Sequence, residues 1–174
     1  MSDSTLPENA PGDAAGGVLV IGYGNTLRSD DGVGWHAAAL LAEDRRLAGG
    51  EVLAVHQLTP ELALDMSRAW LVILIDASTD DPPGVITVRP LAASDEAGGD
   101  GPGATSHHVG PGELLAVARA LYGTAPDALI VSVGVADMEP GEALTPLVSA
   151  ALPTIADTVV DLVARRRAGR PAGG

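Results

Sequence analysis

The chain contains no cysteine, which excludes disulfides, thiolate metal sites and cysteine nucleophiles. All ten of its basic residues are arginine, so Schiff-base chemistry and the lysine of a phosphate-binding P-loop are excluded too. Aromatic residues are scarce, with two Trp, two Tyr and no Phe among 174 residues. Since 46% of the chain is hydrophobic, its core must be built from Ala, Val, Leu and Ile, which suits helices packed on a sheet. A formal net charge of -13 leaves no basic patch for nucleic acid. Arg165, Arg166, Arg167 and Arg170 read as a solvated end to the last helix, favourable to its dipole. No run approaches the roughly 20 apolar residues of a membrane span, so no membrane insertion is expected. Met1 to Gly17 lacks the basic-then-apolar pattern of a signal peptide, and cytoplasmic residence is the expectation. What remains is chemistry by carboxylate, His, Ser or Thr, or by a metal held through oxygen and nitrogen.

The most informative stretch is residues 18–34. Val18 to Ile21 reads as a buried strand that breaks into a glycine-rich turn, and Asp30 and Asp31 then stand where a helix should begin. Glycines there permit positive φ and let backbone approach a ligand closely. A phosphate loop wants exposed N–H groups and no competing carboxylates, so this loop suits a cation or a carbonyl. Gly22 and Gly24 begin like a dinucleotide fingerprint, but the third glycine is replaced by Leu27, and no nucleotide cofactor is expected. A serine hydrolase elbow is also missing.

Strands are expected at Val18–Gly22, Glu51–Gln57, Trp70–Asp76, Gly84–Arg89 and Ala128–Gly134. Helices are expected at Asp31–Glu43, Pro60–Arg68, Pro111–Tyr122 and from Thr145 or Pro146 to Arg167, the last kinked or broken by Pro153. This alternation predicts an α/β three-layer sandwich, a mostly parallel twisted sheet of about five strands flanked by helices. One domain is expected over residues 17–167. Flexible tails at 1–16 and 168–174 and a flexible insert near 92–104 follow from their composition.

In such a sheet, ligands bind beyond the carboxyl ends of the strands. Asp76 ends the continuously apolar Leu71–Ile75 and faces that edge. Of Asp30 and Asp31, adjacent residues that cannot share a helix face, one is expected to cap the helix and the other to reach the site. His36 reads as surface or packing, while His56 borders the site. His107 and His108 lie just before the helix at Pro111, an accessible place for a ligand. Two carboxylates and one imidazole would make an open, incomplete site for a divalent ion.

These residues resemble the maturation endopeptidases of nickel–iron hydrogenases. The opening block of that family appears as Gly22-Tyr23-Gly24-Asn25, a short spacer, then Asp30-Asp31-Gly32-Val33-Gly34. A second block, a strand ending in Asp-Ala, appears as Ile75-Asp76-Ala77. A third, a Ser/Thr lead into His and a Leu-rich helix, appears as Thr105-Ser106-His107-His108 with Glu113-Leu114-Leu115. The resemblance covers roughly residues 18–165. It implies an endopeptidase that removes the C-terminal extension of the hydrogenase large-subunit precursor after nickel insertion, the nickel being supplied by the substrate. It further implies Asp31, Asp76 and His107 as metal-contacting residues, with His108 as the alternative, and Asp31 and Asp76 as the catalytic carboxylates. Asp30 would then cap the helix and support Asp31. His56-Gln57-Leu58-Thr59 stands where the family often has an acidic or Gly-Gly segment, a departure that bears on which hydrogenase is served. A nonhydrolytic nickel-dependent checkpoint protein for hydrogenase assembly is the competing expectation.

Overall fold

The computed structural model describes residues 16–93, 109–124 and 126–170. Five strands, β1 (Gly17–Tyr23), β2 (Gly50–Val55), β3 (Ala69–Ser78), β4 (Ile86–Pro90) and β5 (Asp127–Gly134), form one sheet in the order β2-β1-β3-β5-β4. All neighbours are parallel except β4, which runs antiparallel to β5. The short connection from β3 to β4 does not return across the sheet, and β4 closes the edge beside β5.

Helices α1 (Val33–Ala42), α2 (Leu62–Arg68), α3 (Pro111–Tyr122) and α4 (Pro146–Ala168) cover both faces. β3 shows why. Leu71 through Ile75 are all fully buried, and their alternation divides them between two cores. Leu71, Ile73 and Ile75 pack with Val33, Ala37 and Leu41 of α1 and with Val148, Ile155 and Val159 of α4. Val72 and Leu74 pack with Leu62 and Met66 of α2 and with Leu114, Leu115 and Ala118 of α3. The three-layer α/β architecture expected from the sequence is therefore present, with β4 as its one antiparallel member among the described residues.

Several local expectations are corrected. Residues 29–32 form a 3-10 turn before α1 begins at Val33, so the first helix starts later than Asp31. α4 runs unbroken through Pro153. Both Pro153 and Ser149, whose carbonyl loses its helical partner, face solvent, so water can replace the missing N–H. α4 is also long and apolar enough to cross a membrane by length and composition. Its apolar stripe is instead spent on the sheet, through Val148, Ile155, Ala156, Val159 and Val163. The expected solvated tail is partly engaged: Arg166 pairs with Asp127, and the Arg170 guanidinium lies 4.6 Å from the centre of the Trp70 ring. Residues 1–15, most of the expected insert, and 171–174 lie outside the described residues.

Asp30 does not cap its own helix. It is fully buried, and its carboxylate reaches across the fold to the segment before α4. Oδ2 accepts from the Ala136 and Asp137 amides at 3.0 and 3.1 Å and from the Thr145 hydroxyl at 2.9 Å. Oδ1 accepts from the Thr145 amide at 2.7 Å. Burial alone would raise the carboxyl's pKa, but the hydrogen bonds from Thr145, Ala136 and Asp137 outweigh it and hold the group below its ordinary value. Asp30→Asn places an amide NH2 against these donors and should cost roughly 2–4 kcal/mol in urea denaturation at pH 7. Stability from a lowered carboxyl is complete above the ordinary value of 3.8 and lost as pH falls through the lower folded value. The gap between wild type and variant should therefore narrow at such acidic pH.

Candidate active site at the carboxyl edge of the sheet

Adjacent strands β2, β1 and β3 end at the same edge, and beyond them opens a cleft of about 580 Å³. β1 contributes Tyr23 and the loop Gly24-Asn25, β2 leads into His56 and Gln57, and β3 contributes Asp76. Asp31 enters from the 3-10 turn. The structure thus brings Asp31 and Asp76 into one cleft.

The glycines achieve this by letting backbone approach backbone. A Cβ on Gly34 would overlap the carbonyl oxygens of Ile75 and Tyr23, and one on Gly24, at φ 143°, would overlap the Asp31 carbonyl oxygen. Their first role is to seat the turn and α1 against the ends of β1 and β3. Asn25 organises the loop on both sides. Its Oδ1 accepts from the Leu27 amide at 2.9 Å, and its own amide donates to Asp31 Oδ2 at 3.2 Å.

Asp76 lies two residues before the end of β3, opposite Ser132 of β5. The strand continues past it, yet its half-buried side chain lines the cleft. The Tyr23 hydroxyl donates to Asp76 Oδ2 at 2.6 Å. Burial pushes the Asp76 carboxyl up to about 6; Tyr23 and the Ala77 amide pull it down, and the charge of Asp31 pushes it up. The Tyr23 phenol is itself raised well above its usual value, by burial first and then by Asp76 and Asp31, so it stays a donor. Nothing in the sequence singled out Tyr23.

His56 is exposed on the cleft wall and stacks on Trp35, with ring centres 6.3 Å apart and planes within 12°. His36 makes an edge contact with Trp35 and plays the packing role expected of it. His107 and His108 lie outside the described residues. Val109 and Pro111, which follow them, line the cleft. Among the described residues, no three His, Asp or Glu side chains gather closely enough to hold a metal ion. The described site is a two-carboxylate opening.

No family model and no curated protein matches the sequence. Solved structures do. The hydrogenase maturating endopeptidase HybD from E. coli is 25% identical and superposes with a TM-score of 0.67, covering 87% of this chain and 93% of its own. A solution structure of an endopeptidase from Escherichia coli is 26% identical with a TM-score of 0.67 over the same shares. The [NiFe] hydrogenase maturation protease HycI from Thermococcus kodakarensis KOD1 shares the fold at a TM-score of 0.68, over 87% of this chain and 94% of its own, with 17% identity.

A carboxyl raised in the folded state favours folding most below its ordinary value of 3.8, and that contribution is lost as pH rises through about 6. Asp76→Asn, which removes the charge and keeps an acceptor for Tyr23, should therefore stabilise the protein above pH 6 by roughly 1–3 kcal/mol. Urea midpoints of the two proteins at pH 7.5 and near pH 3.5 check this, with the gain confined to the higher pH.

Proposed function

We propose that this chain is a hydrogenase maturation endopeptidase, a reading its likeness to HybD supports, and that it removes the C-terminal extension of a nickel–iron hydrogenase large-subunit precursor and recognises the nickel already bound there. The observation that carries this reading is the convergence of Asp31 and Asp76 on one cleft whose wall continues into Val109, the residue after the histidine doublet.

Asp31, Asp76 and His107 offer two oxygens and one nitrogen to the substrate's nickel, with His108 as the alternative to His107. A cysteine-free, lysine-free protein can add such ligands without competing through thiolates of its own. Holding the precursor by its metal fixes the scissile peptide over the carboxylates, a proximity effect that needs no covalent intermediate. Water then attacks the scissile carbonyl carbon, giving its proton to a carboxylate, and the C–N bond breaks as the proton passes to the leaving amine. Burial pushes the Asp76 carboxyl up to about 6 in the free protein, and the charge of the substrate's nickel favours its ionised, ligating form. The Tyr23 hydrogen bond keeps one of its oxygens occupied and so orients the other.

Incubation with nickel-loaded and nickel-free precursor, read by mass spectrometry of the released peptide, tests the reading. Shortening of the loaded precursor alone is the expected result. Retention of full length under both conditions, with tight binding of the loaded form, would favour a checkpoint protein. Asp31→Asn, Asp76→Asn and His107→Ala should each lower kcat at least a hundredfold with the fold intact by circular dichroism. His108→Ala should cost less than tenfold.

A further inference from the structure

We infer that Leu27 and Arg28 form a recognition pair on the cleft that reads an acidic side chain, next to an apolar one, in the segment flanking the scissile bond. The inference rests on the peptidase reading above and adds how the polypeptide itself is selected.

Arg28 lines the same cleft as Asp31 and Asp76 and is exposed. It forms an ion pair with neither carboxylate, and its guanidinium has no hydrogen-bond partner among the described residues. A guanidinium that lines the cleft with two carboxylates and pairs with neither is left available to something that enters it. In a chain of net charge -13, an acidic peptide is repelled on average, so a cation at the opening favours an acidic side chain there. Carboxylate is the group whose geometry a guanidinium fork matches in two parallel hydrogen bonds. Leu27, beside it, is 62% exposed and also lines the cleft.

Their backbone is held as a rigid platform. The Leu27 carbonyl accepts from the Gly141 amide at 3.0 Å, and the Ser29 amide donates to the Gly141 carbonyl at 2.8 Å. The Ser29 hydroxyl donates to the Glu139 carbonyl at 3.0 Å. On the other side, the Arg28 amide donates to the Asn25 carbonyl at 3.0 Å. Ser29 is held at φ 47°, left-handed backbone that a residue with a side chain rarely adopts. Strain of this kind persists where surrounding contacts over-determine it, and such places are commonly ligand clamps. Here it fixes the backbone from which two side chains that contribute nothing to the core project. Preorganisation of that sort lowers the entropy lost on binding.

The test is steady-state cleavage of nickel-loaded precursor by wild type, Arg28→Lys and Arg28→Glu. Alongside runs a set of precursors in which each Asp or Glu within about five residues of the scissile bond is changed to Lys, the reach of an extended peptide across the cleft. Arg28→Glu should raise KM at least tenfold with kcat within twofold, and Arg28→Lys should fall between. One Lys-substituted precursor should recover cleavage by Arg28→Glu while weakening cleavage by wild type. An unchanged KM, a loss confined to kcat (which would assign Arg28 to the developing oxyanion), or no recovery by any precursor variant would overturn the inference. Fluorescence anisotropy of labelled precursor gives the same comparison without turnover. Binding by wild type that Arg28→Glu weakens tenfold, with no cleavage, would keep the recognition pair and remove the peptidase reading. No binding by wild type would remove both.

Discussion

A single buried carboxylate holds the site together. Asp30 has no exposure to water, and it survives as an anion because four donors from residues 136, 137 and 145 converge on it. An unpaired charge in that place would be prohibitive, so the segment before α4 cannot leave without a large penalty. The turn that carries Asp30 also carries Asp31 and is tied to Leu27, Arg28 and Ser29. The same four hydrogen bonds that dock α4 therefore immobilise the cleft's carboxylate and its recognition loop. Stability and cleft geometry share one origin here: of two adjacent aspartates, one is fully buried and the other lines the opening.

Donor supply separates Asp30 from Asp76. Asp30 is surrounded by N–H and O–H donors and is held ionised. Asp76 meets one phenol and one amide, and burial keeps its carboxyl closer to protonation. The difference lies in the number of donors supplied, not in depth alone. A carboxyl that is costly to ionise in the free protein gains most when a cation arrives to share its charge. At that residue the folded protein disfavours the charge that burial leaves without enough donors.

The sheet, its parallel core and the helices were legible in the sequence because each is written in local periodicity. Asp76 was legible because an apolar run of five residues ends on a carboxylate; the loop's acids were legible as out of place after a glycine turn, but only the family resemblance chose Asp31 over Asp30. Asp30's role was not, since its partners stand 106 to 115 residues away and no local pattern encodes them. The glycines were visible, but their reason was not: Gly24 and Gly34 were read as making room for a ligand, and they make room for the chain's own carbonyls. The antiparallel sense of β4 depended on whether a short connection crosses the sheet, which strand propensity does not decide. The engagement of Arg166 and Arg170 likewise depended on where α4 ends relative to Asp127 and Trp70.

α4 spans 23 residues, about 35 Å at 1.5 Å per residue. It sets out from Thr145, on the side of the opening, and finishes where Arg166 meets Asp127 at the start of β5 and Arg170 covers Trp70 near the start of β3. Those strand beginnings form the opposite rim of the sheet. One long helix thus braces both rims at once, tied to Asp30 by Thr145 at one end and to Asp127 by Arg166 at the other.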